Sequence, residues 1–381
     1  MKTLLLAIAP LLFCALDAYP EESGLNAQQW QSITPAGPAA DDLPDNESYE
    51  TIVQSDAGNG PVTEEPADES AAEEEFLQHQ ILPEVREADL PGAVSVTNKF
   101  LEKFRPGIGP LIIGHRGFGQ KTSPEPENTL AALKKGFSMG AAAIELDVQF
   151  SKDGDLMITH NSDIDAVTMS HGCVADYSRD QLQSMILVDG DKRPSPERLA
   201  AFDDAVRLLQ GQTTGLAHSA DGGIVAVVHV KVFDGFHGDW PGVRRLLHPC
   251  PKTDYASIAR KTLGFVDRAG IVDKVLFVSF DHRVLDTIRS INPRTKVGLL
   301  SVRRSLAIDA AAARKYDAVV LRYNKVQRKD LLRARSRGLT VYVWTPTDKQ
   351  SIARFTSETG GAGLVDGIIT NSIPNALAVA R

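Results

Sequence analysis

From about residue 96 onward the chain repeats one pattern: a short apolar run of strand length, then an amphipathic stretch of helical length, then another apolar run. The runs are PLIIGH, AAAIELDVQF, LMITH, IVAVVHVKV, KVLFVSF, TKVGLLS, YDAVVLRY, LTVYVWT and VDGIIT. Helical stretches such as NTLAALKKGFSMG, RLAAFDDAVRLLQ, VLDTIRSI, QRKDLLRARSRG and KQSIARFTSETG separate most of them. In the first of these, Leu130, Leu133 and Phe137 fall at helical spacing and Gly140 marks the stop. Strands that alternate with helices form a parallel sheet, because a parallel return needs a crossover.

Counting AAAIELDVQF, the SKDGD turn and LMITH as one extended element gives about eight βα units, which suggests a closed (β/α)8 TIM barrel. A doubly wound open sheet is the competing architecture, and periodicity does not exclude it. In both, the working residues belong at the C-terminal ends of strands, where His115, His160 and Lys231 lie.

Before residue 96 the composition changes. The opening MKTLLLAIAPLLFCALDAYP has one basic residue, a short apolar run and small residues near Ala15 and Ala18, so residues 1–18 read as a secretory signal and the protein as extracellular. Residues 19–95 read as an acidic disordered segment or pro-region: from 20 to 95 there are 18 Asp and Glu against Arg86 alone, a net −17. Lys2 and Asp17 cancel, so taking −17 from the whole-chain −8 leaves residues 96–381, the barrel domain, at +9. That charge can draw the domain to an anionic membrane surface. No nucleic-acid motif and no obligate protein partner is inferred.

Removing the signal leaves Cys173 and Cys250, either a disulfide in an oxidising compartment or two buried thiols. Asn46 in NES is a glycosylation acceptor where the host glycosylates.

Three features carry chemistry together. His115 and Arg116 in GHRG end the first strand, and PENT follows at 126–129. In IELDVQ, Glu145 and Asp147 are two apart on an otherwise apolar strand and so share a face. Two buried carboxylates side by side repel and desolvate badly unless a cation or basic groups sit between them, which a divalent metal explains economically. LMITH then delivers His160. Two histidines around a bound metal can serve as acid and base.

The run GHRG…PENT…IELDVQFSKDGDLMITH, continued by VHVKV, SFD, VYVWT and DGIITNSIP, resembles the glycerophosphodiester phosphodiesterases over roughly residues 110–378. The resemblance implies a (β/α)8 barrel with an insertion after the second strand region, hydrolysing phosphodiesters with one divalent metal. It implies that His115 and His160 are the catalytic pair, Glu145 and Asp147 metal ligands, and Arg116 and Lys231 phosphate contacts. Trp344 is then the substrate wall, and Glu127 and Asn128 organise the site. Small-molecule glycerophosphodiesters, giving glycerol 3-phosphate and an alcohol, are the implied substrates. A phospholipase D-like activity on lysophospholipids, as in the related venom-toxin group, is one alternative; a catalytically impaired barrel that binds phosphorylated ligands is another.

The chain departs from that family where a third acidic ligand, in an E-x-K pattern, is replaced by HVK, so that His229 occupies the ligand position. Magnesium, calcium or manganese are the expected ions, and an imidazole donor admits zinc. The other reading of His229 is that it binds nothing and the site is impaired; Asp234 and Asp239, in the loop after that strand, are separate candidate substitutes. Asn161, Asp163 and Asn371 also depart from the pattern and are expected to affect substrate fit. Ser279 reads as a packed strand-end residue, and His171, His218, His237, His248 and His282 as solvated. The basic stretches VRRSL and QRKDLLRARSRG read as solvated helix faces.

Overall fold

A computed structural model describes residues 109–119, 123–213, 223–233, 250–357 and 363–380. The signal, the acidic segment, Asn46, Asp234, Asp239, His218, His237 and His248 lie outside the described residues.

Eight strands run parallel: β1 (Leu111–Gly114), β2 (Ala143–Phe150), β4 (Ala226–Val230), β5 (Val275–Ser279), β6 (Lys296–Ser301), β7 (Ala318–Arg322), β8 (Thr340–Trp344) and β9 (Gly367–Thr370). Each pairs with the next, and β1 pairs with both β2 and β9, so the sheet closes on itself. The open-sheet alternative is thereby excluded. The SKDGD turn sends β3 (Leu156–Ile158) back antiparallel along β2, with Val148 opposite Ile158. His160 therefore reaches the mouth of the barrel on a returning strand rather than at the end of a barrel strand.

Around the barrel lie the helices α1 (Leu130–Ser138), α3 (Phe202–Thr213), α4 (Tyr255–Arg268), α5 (His282–Ile291), α6 (Arg304–Ala313), α7 (Arg328–Ser336), α8 (Lys349–Thr356) and α9 (Ile373–Val379), with the short α2 (Arg179–Ser184) in the insertion. Their starts are written locally. Thr129, Asp254, Asp281 and Asp348 accept hydrogen bonds from backbone N–H groups of the first turns of α1, α4, α5 and α8. Gly140, at φ +93, supplies the left-handed turn after α1.

Strand parity divides the core. Ile144, Leu146 and Val148 of β2 are fully buried beneath the helices, each contributing roughly 1.5–3 kcal/mol by leaving water. The alternate residues turn inward, where Ile113, Ala143, Val227, Val278, Val320 and Ile369 belong to a separate, smaller apolar cluster inside the barrel. Continuing each parity series by two residues leads from Ile113 to His115, from Ala143 to Glu145 and Asp147, from Val227 to His229 and Lys231, and from Ile369 to Asn371. Toward the C-terminal ends of these strands the apolar filling of the barrel thus gives way to polar groups.

Between β3 and α3 the insertion builds its own core from Ile164, Val174, Leu182, Leu187 and Leu199, packed against Met157 of β3. A disulfide joins Cys173 in the insertion to Cys250 just before α4, and it resolves the choice between a bridge and two free thiols.

Two of the residues expected to be solvated are not. His282 is half-buried rather than solvated, with its pKa lowered by burial and by Arg314. Arg335 is buried, donating to the Leu364 carbonyl and pairing with Asp366 at 2.8 Å, because α7 turns that side chain onto the loop before β9. Ser279 is packed as expected, donating to the Val230 carbonyl at 2.8 Å. Among the described residues, no helix is long and apolar enough to cross a membrane.

Candidate active site at the barrel mouth

His115, Arg116, Glu145, Asp147, His160 and His229 line one cavity, closed on its other side by Phe280 and Trp344 over an apolar floor. The charged groups come from the β1, β2, β3 and β4 side. The arc from β5 to β8 contributes Val278, Phe280, Leu300, Val320, Trp344 and Thr345. The cavity is therefore polar on one half and largely apolar on the other.

Arg116 connects three parts of the site. Its backbone N–H donates to Glu145 Oε2 at 2.9 Å, its guanidinium donates to Glu127 Oε1 at 2.8 Å, and its Nε lies 3.8 Å from Asp147 Oδ2. It takes φ +52, in the left-handed region that costs a non-glycine residue of order 1–2 kcal/mol. That conformation turns the backbone amide toward the carboxylate. Gly117, at φ +88, continues the turn, and a Cβ there would lie 2.6 Å from the Ala132 backbone, so only glycine lets the loop lie against α1.

Asn128, also left-handed at φ +56, donates its side-chain amide to Asp147 Oδ2 at 3.0 Å and accepts from the Asp147 N–H at 3.2 Å. Its own N–H donates to the Arg116 carbonyl at 3.0 Å. The PENT residues Glu127 and Asn128 thus contact Arg116 and Asp147.

The strand register sets Asp147 opposite His229. Asp147 Oδ1 is 2.8 Å from His229 Nδ1 and 3.8 Å from Lys231 Nζ. Glu145, Asp147 and His229 are buried, and each offers a ligand atom within 4.8 Å of the others. Two carboxylates and an imidazole, drawn together away from water, fit a divalent cation.

The electrostatics point the same way. Burial, and then the charge of Asp147, push Glu145 well above the carboxylate range. Burial would also raise Asp147, but His160, Lys231 and the hydrogen bond with His229 hold it well below. Two such carboxylates cannot both ionise cheaply without a cation between them. Burial and the Arg116 charge lower His115 to about 3, and the same two causes lower His160 well below its ordinary value. Burial and Lys231 lower His229.

Each of the first two imidazoles has an amide partner. Asn371 Oδ1 lies 2.6 Å from His115 Nδ1, and Asn161 Oδ1 lies 2.6 Å from His160 Nδ1. Read with Nδ1 as the donor, both histidines keep Nε2 for other work. The sequence reading assigned the two asparagines only to substrate fit. Asn371 has the signal that could have marked it, since it follows β9 at the working end of the barrel with inward parity. Phe280, whose ring stands edge-on to His229 at 5.6 Å and to Trp344 at 6.1 Å, was also missed, because an aromatic after an apolar strand looks like core. Asp163 is buried at the base of the insertion, where its Oδ1 accepts from the Asp165 N–H at 3.2 Å.

The family model of the glycerophosphoryl diester phosphodiesterases matches residues 115–217 and 250–374. A glycerophosphodiester phosphodiesterase of Caldanaerobacter subterraneus subsp. tengcongensis is 25% identical over 264 residues, spanning 68% of this chain and 93% of that protein. The fold is shared with a glycerophosphodiester phosphodiesterase from Agrobacterium tumefaciens, at a TM-score of 0.53 and 21% identity over 71% of this chain and 99% of that one. It is shared too with an Oleispira antarctica phosphodiesterase solved with the product sn-glycerol-3-phosphate, at a TM-score of 0.56 and 16% identity over 71% of this chain and 96% of that one. With its closed barrel and the motif blocks matched from His115 onward, the chain belongs to the glycerophosphoryl diester phosphodiesterase family and is a phosphoric diester hydrolase.

Proposed function

We propose that the protein is a secreted, metal-dependent enzyme that hydrolyses small glycerophosphodiesters to glycerol 3-phosphate and an alcohol, using His115 and His160 as a general acid–base pair. The observation that carries this reading is the convergence of both imidazoles on one cavity with Arg116 and the two carboxylates. The sn-glycerol-3-phosphate bound by the Oleispira antarctica protein supports the product assignment.

Glu145, Asp147 and His229 are the residues that would hold the cation. When bound, it supplies Lewis-acid stabilisation of negative charge on the phosphoryl oxygens. Arg116 and Lys231, both within 3.8 Å of Asp147, add positive charge where the anionic diester sits. One imidazole accepts a proton from the attacking hydroxyl: either water, which gives glycerol 3-phosphate directly, or the neighbouring glycerol hydroxyl, which gives a cyclic phosphate that water then opens. The other donates a proton to the departing alcohol oxygen as the P–O bond breaks. Asn371 and Asn161 fix the imidazole orientations, and Trp344 with Phe280 walls the substrate.

The Cys173–Cys250 disulfide supports an oxidising compartment, hence secretion. The apolar half of the cavity favours lysophospholipids as a second substrate group, releasing the head-group alcohol.

The test is metal-supplemented turnover of glycerophosphocholine and of a lysophospholipid, with His115→Ala as control. Release of glycerol 3-phosphate that the substitution abolishes supports the reading. Binding without turnover under every divalent ion overturns it.

A further inference from the structure

Resting on that reading of the site, we infer that the centre formed by Glu145, Asp147 and His229 selects a borderline transition-metal dication, of the manganese or zinc class, through a nitrogen of His229, and discriminates against calcium and magnesium.

The first support is the pairing of Asp147 with His229 across β2 and β4, which brings Oδ1 and Nδ1 to 2.8 Å. The third donor of the group is therefore a neutral nitrogen beside a carboxylate rather than a third carboxylate, which suits ions that accept imidazole.

Charge weighs against both hard cations. Hard cations are held by oxygen donors and by the summed negative charge of a site. Here the described ligand group has two carboxylates, and Arg116 Nε and Lys231 Nζ each stand 3.8 Å from Asp147. Two cations at that distance oppose further positive charge. An ion that gains from a nitrogen donor depends less on that charge, and affinity for such donors rises along the transition series.

The imidazole is also held in place. Phe280 lies edge-on to it at 5.6 Å, and Trp344 backs Phe280 at 6.1 Å. Little ring motion remains to be lost on ligation. The competing role is that His229 only donates Nδ1–H to Asp147 and orients it, as an outer partner of a metal held by oxygen alone.

Electron spin-echo measurements on the chelator-stripped full chain loaded with Mn2+ distinguish the two. Nitrogen modulation from a directly bound imidazole is expected in the wild type and is lost in His229→Glu while Mn2+ stays bound. His229→Gln serves the same purpose if the glutamate variant does not fold. By calorimetric titration, Zn2+ and Mn2+ should bind wild type at least roughly 10-fold tighter than Mg2+ and Ca2+, and His229→Glu should narrow that ratio. Bound Mn2+ without nitrogen modulation, no Mn2+ binding, or equal affinity for all four ions overturns the inference. None of those results bears on the diester turnover assay, whose failure would count against the enzymatic reading alone.

Discussion

Asn371 Oδ1 and His115 Nδ1 are 2.6 Å apart, although 256 positions separate the two residues in sequence. The contact exists because β1 and β9 are neighbours in the closed sheet, with Gly114 opposite Thr370, so that the next residue of each strand meets at the rim.

If Asn371 orients the His115 ring, Asn371→Ala should lower kcat by roughly 10- to 100-fold with little change in KM or in the unfolding midpoint, by analogy with partners of other functional histidines. Asn371→Asp, which keeps an acceptor, should recover most of the rate. Steady-state kinetics beside thermal unfolding checks this; a drop in stability that accounts for the lost rate would reduce Asn371 to a packing role.

Removing either imidazole should cost about 10²- to 10⁴-fold in kcat, and the His115→Ala, His160→Ala double variant should lose little more than the worse single one. Additive losses would mean that the two rings do not work on the same reaction step.

Arg116 allows its side chain and its backbone to be separated. Both Arg116→Ala and Arg116→Gly remove the guanidinium and should raise KM together. The glycine variant should be more stable than the alanine variant by about 1 kcal/mol, because φ +52 costs glycine nothing. Urea titration of the two variants tests this, and equal midpoints would show that the left-handed turn carries no strain.

The disulfide closes a loop between residues 77 apart, which by chain-entropy arguments is worth about 4.5 kcal/mol, against roughly 2–4 kcal/mol typical of such bridges. Cys173→Ser with Cys250→Ser should lower the unfolding midpoint markedly and loosen the insertion first, read as faster amide exchange around Ile164 and Leu187. Unchanged exchange there would mean that the insertion's own core suffices.

The sequence carried much of the fold, and for a local reason. Each strand and helix announces itself through periodicity within a few residues, and Thr129, Asp254 and Gly140 mark ends that neighbouring backbone groups alone determine. The same locality made Glu145 and Asp147 legible, since two residues two apart on a strand must share a face wherever that strand goes.

Other features depended on which segments meet. Nothing local in TNSIP or THNS says that Asn371 and Asn161 accept from the imidazoles of His115 and His160, nor that Phe280 packs edge-on to His229. Periodicity could not choose between a closed barrel and an open sheet either; that needed β1 to pair with β9. By itself, then, the sequence determined the elements, their inward faces and the chemistry at their ends. Only closure of the sheet decided which of those ends stand within hydrogen-bonding reach of one another, because that distance is set by long-range pairing that no short window of residues contains.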